Sequence, residues 1–243
     1  ILPMFAKYQI TTFCAPPTML RMMIKQDISN YDFSSVQHMA TAGEALNPEV
    51  YRQFETATGL QILEGFGQTE STMIIGNMTG ASHKIGSMGK PAPIYDVHLV
   101  DADGNDVNVG ENGEIVIDVK DDAPCGLFKG YYKDEEKTRE AIDENGYFHT
   151  GDKGCFDEDG LLKITGRIKE IFKTSMGKYV SPVLIENKIK ESPFIGEMLV
   201  IGEGQKFAAA LIYPNFEHLK SWCNIKGITY TTDEEMIKNK DVI

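Results

Sequence analysis

Apolar residues in the first 75 positions fall alternately into helix-spaced groups and short buried runs, and from about Gly86 the helical spacing disappears. Strands alternating with helices imply a layered sheet with ligands at the strand ends. Pro17 to Lys25 reads as a helix, and VQHMAT as a buried strand. Asn47-Pro48 opens the next helix, because Asn caps free N–H groups and Pro fits the first turn. LQILEGF reads as the following strand. After Gly86, the runs VHLV, GEIVIDV and GYFHTGDKGCFDEDGLLKITGR show strand periodicity broken by turn residues, the pattern of a β-rich subdomain. IKEIFKTSMGKYVSPVLIENKIKES and then MLVIGEGQKFAAALIYP read as β-α-β. The expected fold class is α/β: part of a layered sheet over residues 1–85, a β-rich subdomain over 86–167, and a small α+β domain over 168–243. The last stretch, TTDEEMIKNKDVI, reads as a helix cut short. Ile1 is not an initiator methionine and its neighbours already read as buried, so an internal fragment of a longer protein is expected.

With 243 residues and 42% apolar content the chain is long enough for a real core. No apolar run approaches the roughly 18 residues of a membrane helix, and the opening ILPMFAKYQITTF lacks a secretory pattern. Cys14, Cys125, Cys155 and Cys223 are far apart, which suggests neither a disulfide framework nor a zinc site and points to a reducing cytoplasm. A net charge of -12 argues against nucleic acid as a partner, since phosphate-backbone binding needs a basic surface. That charge is unevenly placed. Between Asp101 and Gly160 there are 18 acidic and 6 basic residues, whereas Lys163 to Lys190 holds seven Lys or Arg against two Glu. Such a division suits a protein that brings an anionic ligand to one place, and equally suits two differently solvated surfaces.

The chemistry-bearing stretches are polar and rich in glycine. EGFGQTES, Glu64 to Ser71, reads as a turn after a strand, where Gly65 and Gly67 let a planar ligand approach the backbone. Phe66 is suited to stacking on an aromatic base, Thr69 offers a hydroxyl to a phosphate oxygen, and Glu70 offers a hard carboxylate oxygen to Mg²⁺. Glycine-rich turns between strands are more often only turns. GEALNPE, Gly43 to Glu49, stands at the preceding strand end, where a plain helix start accounts for part of it. HTGD reads as a tight turn placing Asp152, which either forms the turn or accepts hydrogen bonds from a ribose diol. Arg167 is suited to the same sugar and phosphate, and His149 reads as structural. TSMGKYVSP presents Lys178 either to a phosphate or to solvent.

Taken in order, GEALNPE, EGFGQTES, KIGSMGKPAP, GEIVI, GYYKDEEKT, YFHTGD and ITGRIKEIFKTSMGKYVSP resemble motifs of the adenylate-forming acyl-CoA synthetase (AMP-binding) superfamily. The similarity runs from about Cys14 to Tyr213. Up to about Gly130 it looks most like the medium-chain and acetate-type ligases, and from Lys163 onward like the bacterial long-chain type. The resemblance implies an ATP-dependent ligase active in fatty acid metabolism. It would use Mg²⁺ and coenzyme A to turn a fatty carboxylate into an acyl-adenylate and then a thioester. It places Gly43, Glu44 and Ala45 along the adenine and phosphate side, and Glu64, Gly65, Phe66, Gly67 and Gln68 as the nucleotide floor with Phe66 under adenine. Thr69 would touch the α-phosphate, Glu70 the magnesium, Asp152 the ribose hydroxyls, and Arg167 the same nucleotide. Lys169 matches the hinge about which the family's C-terminal lid rotates between half-reactions, and Ser175, Met176, Gly177 and Lys178 match the lid loop that meets phosphate and then coenzyme A. Met176 departs from the usual glycine and fits if its φ stays negative.

Two parts of that active site are expected outside these residues: the Ser/Thr/Gly-rich loop ending in Pro-Lys that wraps the β- and γ-phosphates, and a C-terminal lysine. Two other functions stay open at this point, a non-catalytic AMP-binding module and an adenylating domain for amino or aryl acids feeding a carrier protein. Acyl length and oligomeric state are not readable here; self-association is compatible with the sequence.

Overall fold

The computed structural model describes residues 1–81 and 83–242, and the chain divides into two compact units, Ile1–Glu170 and a second beginning at Ile171. The first unit opens with α1 (Leu2–Tyr8), β1 (Thr12–Cys14), α2 (Pro17–Ile24), β2 (His38–Thr41), α3 (Pro48–Thr58), β3 (Ile62–Gly67), β4 (Met73–Gly76) and β5 (Lys90–Pro91). These strands form one sheet in the order β1-β2-β3-β4-β5, parallel from β1 to β3 and antiparallel from β3 to β5. Local chemistry sets α3 in place. The Asn47 side chain accepts from the Glu49 N–H, Pro48 occupies the first turn, and Gly59 ends the helix at φ 73°. The helices bury Phe5, Leu20, Tyr51 and Phe54 against Met39 and Ile62 of the sheet, and each fully buried side chain of this kind contributes about 1.5–3 kcal/mol.

The same unit continues with β6 (Asp96–Val100), β7 (Gly113–Asp118), α4 (Glu135–Ala141), β8 (Tyr147–Phe156) and β9 (Leu162–Arg167). The strands make an antiparallel sheet in the order β6-β7-β8-β9. Its core of Ile115, Ile117, Phe148 and Leu162 is shared with Phe66, Ile74 and Ile75 of the first sheet. Backbone bonds between Met88, Gly89 and Leu162 stitch the two sheets together. The second unit contains the hairpin β10 (Phe172–Lys173) and β11 (Tyr179–Val180), then α5 (Pro182–Ile189), the antiparallel pair β12 (Ile195–Ile201) and β13 (Ala209–Pro214), α6 (Phe216–Lys226) and α7 (Asp233–Met236). The expected terminal helix is a four-residue piece, and the last position of its segment, 243, lies outside the described residues. No helix among the described residues is long and apolar enough to cross a membrane.

The LQILEGF strand is borne out, and strand reaches further into both expected turns. Glu64 to Gly67 belong to β3, and the chain reverses only after them, between Gly67 and Met73. The glycines serve packing here: a Cβ on Gly67 would lie 2.3 Å from the Thr72 carbonyl oxygen. HTGD lies inside β8, where Thr150, Gly151 and Asp152 bulge opposite the single residue Ile115 of β7. Gly151 takes φ 70° at that bulge, and the extra residues re-aim Asp152 inward.

Candidate functional site

A cleft of about 560 Å³ in the first unit is lined by Gly67, Gln68, Thr69 and Glu70 from the β3–β4 turn. Phe148, His149 and Thr150 of β8, Arg167 of β9, and Tyr131 complete it. The β3–β4 turn and the β8 bulge are joined through one amide. Gln68 Nε2 donates to the Thr150 carbonyl and to Asp152 Oδ2, both at 2.8 Å. Thr150 is itself fixed, its hydroxyl donating to the Ile115 carbonyl at 2.7 Å and accepting from the Asp152 N–H at 3.1 Å.

Asp152 is the electrostatic centre of this arrangement. It is 5% exposed, and Arg167, its register partner across β8 and β9, donates from Nε to Oδ1 at 3.1 Å. Burial pushes the Asp152 carboxyl upward, while the Arg167 guanidinium and the Gln68 amide pull it back. Each carboxylate oxygen holds one of these donors and keeps a second lone pair, and Asp152 lies beneath the cleft, behind the lining residues Gln68, Thr150 and Arg167. Glu70 faces the same cleft. Its main-chain carbonyl accepts from the Phe128 N–H at 2.7 Å, and its Oε1 accepts from the Tyr131 hydroxyl at 2.8 Å. His149, which also lines the cleft, is paired with Glu114 at 3.1 Å and Asp143 at 3.5 Å.

Several expected site residues lie elsewhere. Phe66 is 8% exposed, packs in the core with Ile74 and Ile75, and is not among the residues lining the cleft. Both faces of β3 are covered, because the consecutive residues Glu64, Gly65 and Phe66 point to opposite sides and all three are buried. Gly65 is likewise buried against Met73. Glu64 acts as a clasp: at 4% exposure its two oxygens accept from the N–H groups of Leu46 and Gly86, at 3.2 and 3.1 Å. Gly43, at φ 91°, and Glu44 and Ala45 sit exposed in the β2–α3 loop and do not line the cleft; Glu44 accepts from the Thr18 hydroxyl. Lys169 is exposed in a short 3-10 turn, Ile168–Glu170, that ends the first unit.

In the second unit, Ser175, Met176, Gly177 and Lys178 are exposed on the turn joining β10 to β11. Gly177 takes φ 84°, and the turn is closed by the bond from the Gly177 N–H to the Thr174 carbonyl. Among the described residues the non-glycines with positive φ are Gln9 and Lys133, so Met176 keeps the negative φ it needs. Tyr131, Phe148 and Thr150 had no assigned role in the sequence; GYYKDEEKT was the signal that could have drawn attention to Tyr131.

Burial pushes the Glu64 carboxyl up to about 7 from its ordinary 4.5, with the two accepted N–H bonds opposing. Its folded value lies above its unfolded one, so the folded chain holds the extra proton between those limits and stability falls as pH rises from about 4.5 to about 7. Each unit of difference is worth about 1.4 kcal/mol. Glu64→Gln removes this titration and turns an amide N–H₂ toward one of the two main-chain donors, at a cost of about 1–3 kcal/mol. Urea denaturation should therefore show the variant clearly weaker than the parent at pH 5 and nearly level with it by pH 8. A gap that stays constant across that range would remove the clasp titration.

Residues 1–132 match the family model described as AMP-binding enzyme, and residues 169–226 match that of the AMP-binding enzyme C-terminal domain. The chain belongs to the AMP-binding enzyme family. Among its curated relatives are the mitochondrial acyl-coenzyme A synthetase ACSM3 of Homo sapiens, 41% identical over 83% of this chain and 34% of that protein, and ACSM4 of Mus musculus, 40% identical over 80% and 33%. The chain thus spans about a third of the length of the curated relatives it matches. Its fold superposes on a crystal structure of the anthranilate CoA ligase AuaEII in complex with anthranoyl-AMP, with a TM-score of 0.78 and 28% identity over 99% of this chain and 44% of that one. ATP-bound MatB from Rhodopseudomonas palustris gives a TM-score of 0.76 at 26% identity, over 86% of this chain and 42% of that one. The cytoplasmic placement is overturned by these AMP-binding relatives, several of which carry mitochondrial names. Scattered cysteines separate reducing from oxidising compartments but not one reducing compartment from another.

Proposed function

We propose that this chain is the part of an ATP-dependent acyl-CoA ligase that seats the adenylate and carries a portion of its lid. The observation that carries this reading is the Gln68–Asp152–Arg167 network closing a cleft in an AMP-binding enzyme with acyl-CoA synthetase relatives. Such a network offers a buried carboxylate to a ribose diol and a guanidinium to a phosphate, two groups that AMP presents together. Gly43, Glu44 and Ala45 serve the adenine and phosphate side, and Gly67, Gln68 and Thr69 form the wall against the α-phosphate. Lys169 acts as the lid hinge. Ser175, Gly177 and Lys178 serve phosphate in the first step and coenzyme A in the second. The protein resides in mitochondria, as its curated relatives do.

In the first step a carboxylate oxygen attacks the α-phosphorus and the bond to pyrophosphate breaks; in the second the thiol sulfur of coenzyme A attacks the acyl carbonyl, AMP leaves with the bonding pair, and the thiol proton passes to solvent. Two anions must meet in the first step, so catalysis rests on positioning and charge neutralisation. Glu70 would hold Mg²⁺, and the fit is good: Mg²⁺ is usually bound by one or two carboxylates with substrate phosphates supplying other ligands, and Glu70 is a lone cleft carboxylate with Oε2 outside its bond to Tyr131. The ion's contribution when bound is to spread the charge of the phosphates. Among the described residues no cluster of three or more His, Cys, Asp or Glu forms a separate metal cage.

The acid is a fatty carboxylate. An aryl acid is the second reading, favoured by structural similarity to the anthranilate ligase and to a benzoate CoA ligase from Burkholderia xenovorans LB400, the latter with a TM-score of 0.71 and 28% identity over 88% of this chain and 43% of that one. Pyrophosphate release by the full-length protein over a panel of fatty, aryl and amino acids decides between them. Fatty acids should exceed the others at least tenfold in kcat/KM, about 1.4 kcal/mol of discrimination. Turnover confined to aryl acids would select the second reading, and turnover confined to amino acids would end both.

A further inference from the structure

Glu70 is gripped twice by one segment that lies about sixty residues further along the chain. The Phe128 N–H donates to its main-chain carbonyl at 2.7 Å, and the Tyr131 hydroxyl donates to its Oε1 at 2.8 Å. The segment is itself anchored. The Phe128 ring packs edge-on against those of Tyr131 and Phe148, at 4.9 and 5.7 Å between centroids. The Tyr131 N–H donates to the Thr138 hydroxyl at 2.9 Å, and that hydroxyl donates to the Asp134 carbonyl at 2.8 Å, which ties the segment to the first turn of α4. Gly130, at φ 134°, brings the backbone within van der Waals range of Thr138, where a Cβ would stand 2.9 Å from its methyl group. The neighbouring tyrosine provides a natural contrast: Tyr132 is 87% exposed, whereas Tyr131 is 38% exposed and lines the cleft.

We propose that Tyr131 is a positioning residue that fixes the rotamer of Glu70, committing Oε1 to the phenol and leaving Oε2 to a divalent cation on the nucleotide phosphates. The inference rests on the ligase reading, in which Glu70 holds that cation. A glutamate side chain has three rotatable bonds, and ordering it at the moment of binding costs free energy that a pre-formed hydrogen bond has already met. Outer partners that orient metal-binding carboxylates commonly change metal affinity by about 10–100-fold when removed. The sequence offers only GYYKDEEKT as a hint, because the two partners meet through the tertiary fold.

The test is calorimetric titration of the full-length protein with ATP, once with excess Mg²⁺ and once with EDTA, and the quantity read is the ratio of the two affinities. Tyr131→Phe should leave the metal-free affinity unchanged and lower the Mg²⁺-dependent gain about tenfold. Thr138→Val, which acts from outside the cleft, should shift the ratio the same way by less, and supplies the test if the first variant does not fold. Tyr132→Phe should leave the ratio as it was. Glu70→Gln should abolish most of the gain. If Glu70→Gln loses the gain while Tyr131→Phe and Thr138→Val keep it, the positioning role is overturned and the ligase reading survives. If Glu70→Gln also keeps it, the cation role of Glu70 falls and the inference with it. A parent protein that binds no ATP under either condition overturns both readings.

Discussion

Gly89→Ala should lower the stability of the first unit by at least about 3 kcal/mol, or roughly 10 °C in Tm for a unit of this size, a large share of an ordinary margin. Two costs combine at this position. Gly89 sits at φ 96°, where an L side chain is strained by about 1–2 kcal/mol. A Cβ there would also stand 2.2 Å from the Gly76 carbonyl oxygen, 2.3 Å from its carbon and 2.5 Å from the Asn77 nitrogen. All three are backbone atoms of β4 and its exit, so no rotamer change relieves the overlap. Moving them breaks the stitch between the sheets, in which the Leu162 N–H donates to the Gly89 carbonyl and the Met88 N–H to the Leu162 carbonyl. Gly104→Ala isolates the conformational part, because Gly104 takes φ 81° with nothing within 4 Å of its Cβ position. Thermal unfolding should show only about 1 kcal/mol of loss there. Equal losses for the two variants would mean that the sheet contact contributes nothing beyond strain.

Legibility of the fold followed the range of the interactions involved. The helix α3 announced its start, since Asn47 and Pro48 act within one turn. The alternating runs of β6, β7 and β9 carried their own period. Gly67 read as part of a turn because glycine is the commonest turn signal, yet it is small for another reason: β4 returns so closely that Gly67 has no room for a methyl group. HTGD read as a turn for the same cause, and the bulge that holds it exists only opposite Ile115. In the site, Thr69, Glu70, Asp152 and Arg167 were picked out by chemical type, and the structure brings Glu70 and Arg167 to one cleft with Asp152 bonded beneath it. The binding partners of those groups were not legible. Gln68 reaches Asp152 across 84 positions and Tyr131 reaches Glu70 across 61, and no local pattern encodes such meetings. The sequence places Glu64 and Phe66 on a strand, but not the cover that buries both of them there.

Asp152→Ala should weaken AMP binding about 10²–10³-fold. The carboxylate is the proposed acceptor for both ribose hydroxyls, and a hydrogen bond to a charged group contributes about 1.5–3 kcal/mol. The truncation also leaves Arg167 without its bonded carboxylate and the Gln68 amide with only the Thr150 carbonyl. Asp152→Asn keeps the shape and one acceptor, so a smaller loss is expected, about tenfold. The direct measurement is calorimetric titration of AMP into the full-length protein and its two Asp152 variants at neutral pH. The account expects saturable binding by the parent, a graded loss through Asp152→Asn, and none measurable for Asp152→Ala at millimolar nucleotide. Equal AMP affinity in all three proteins would contradict it, because the cleft beside the β8 bulge would then not be where the nucleotide sits.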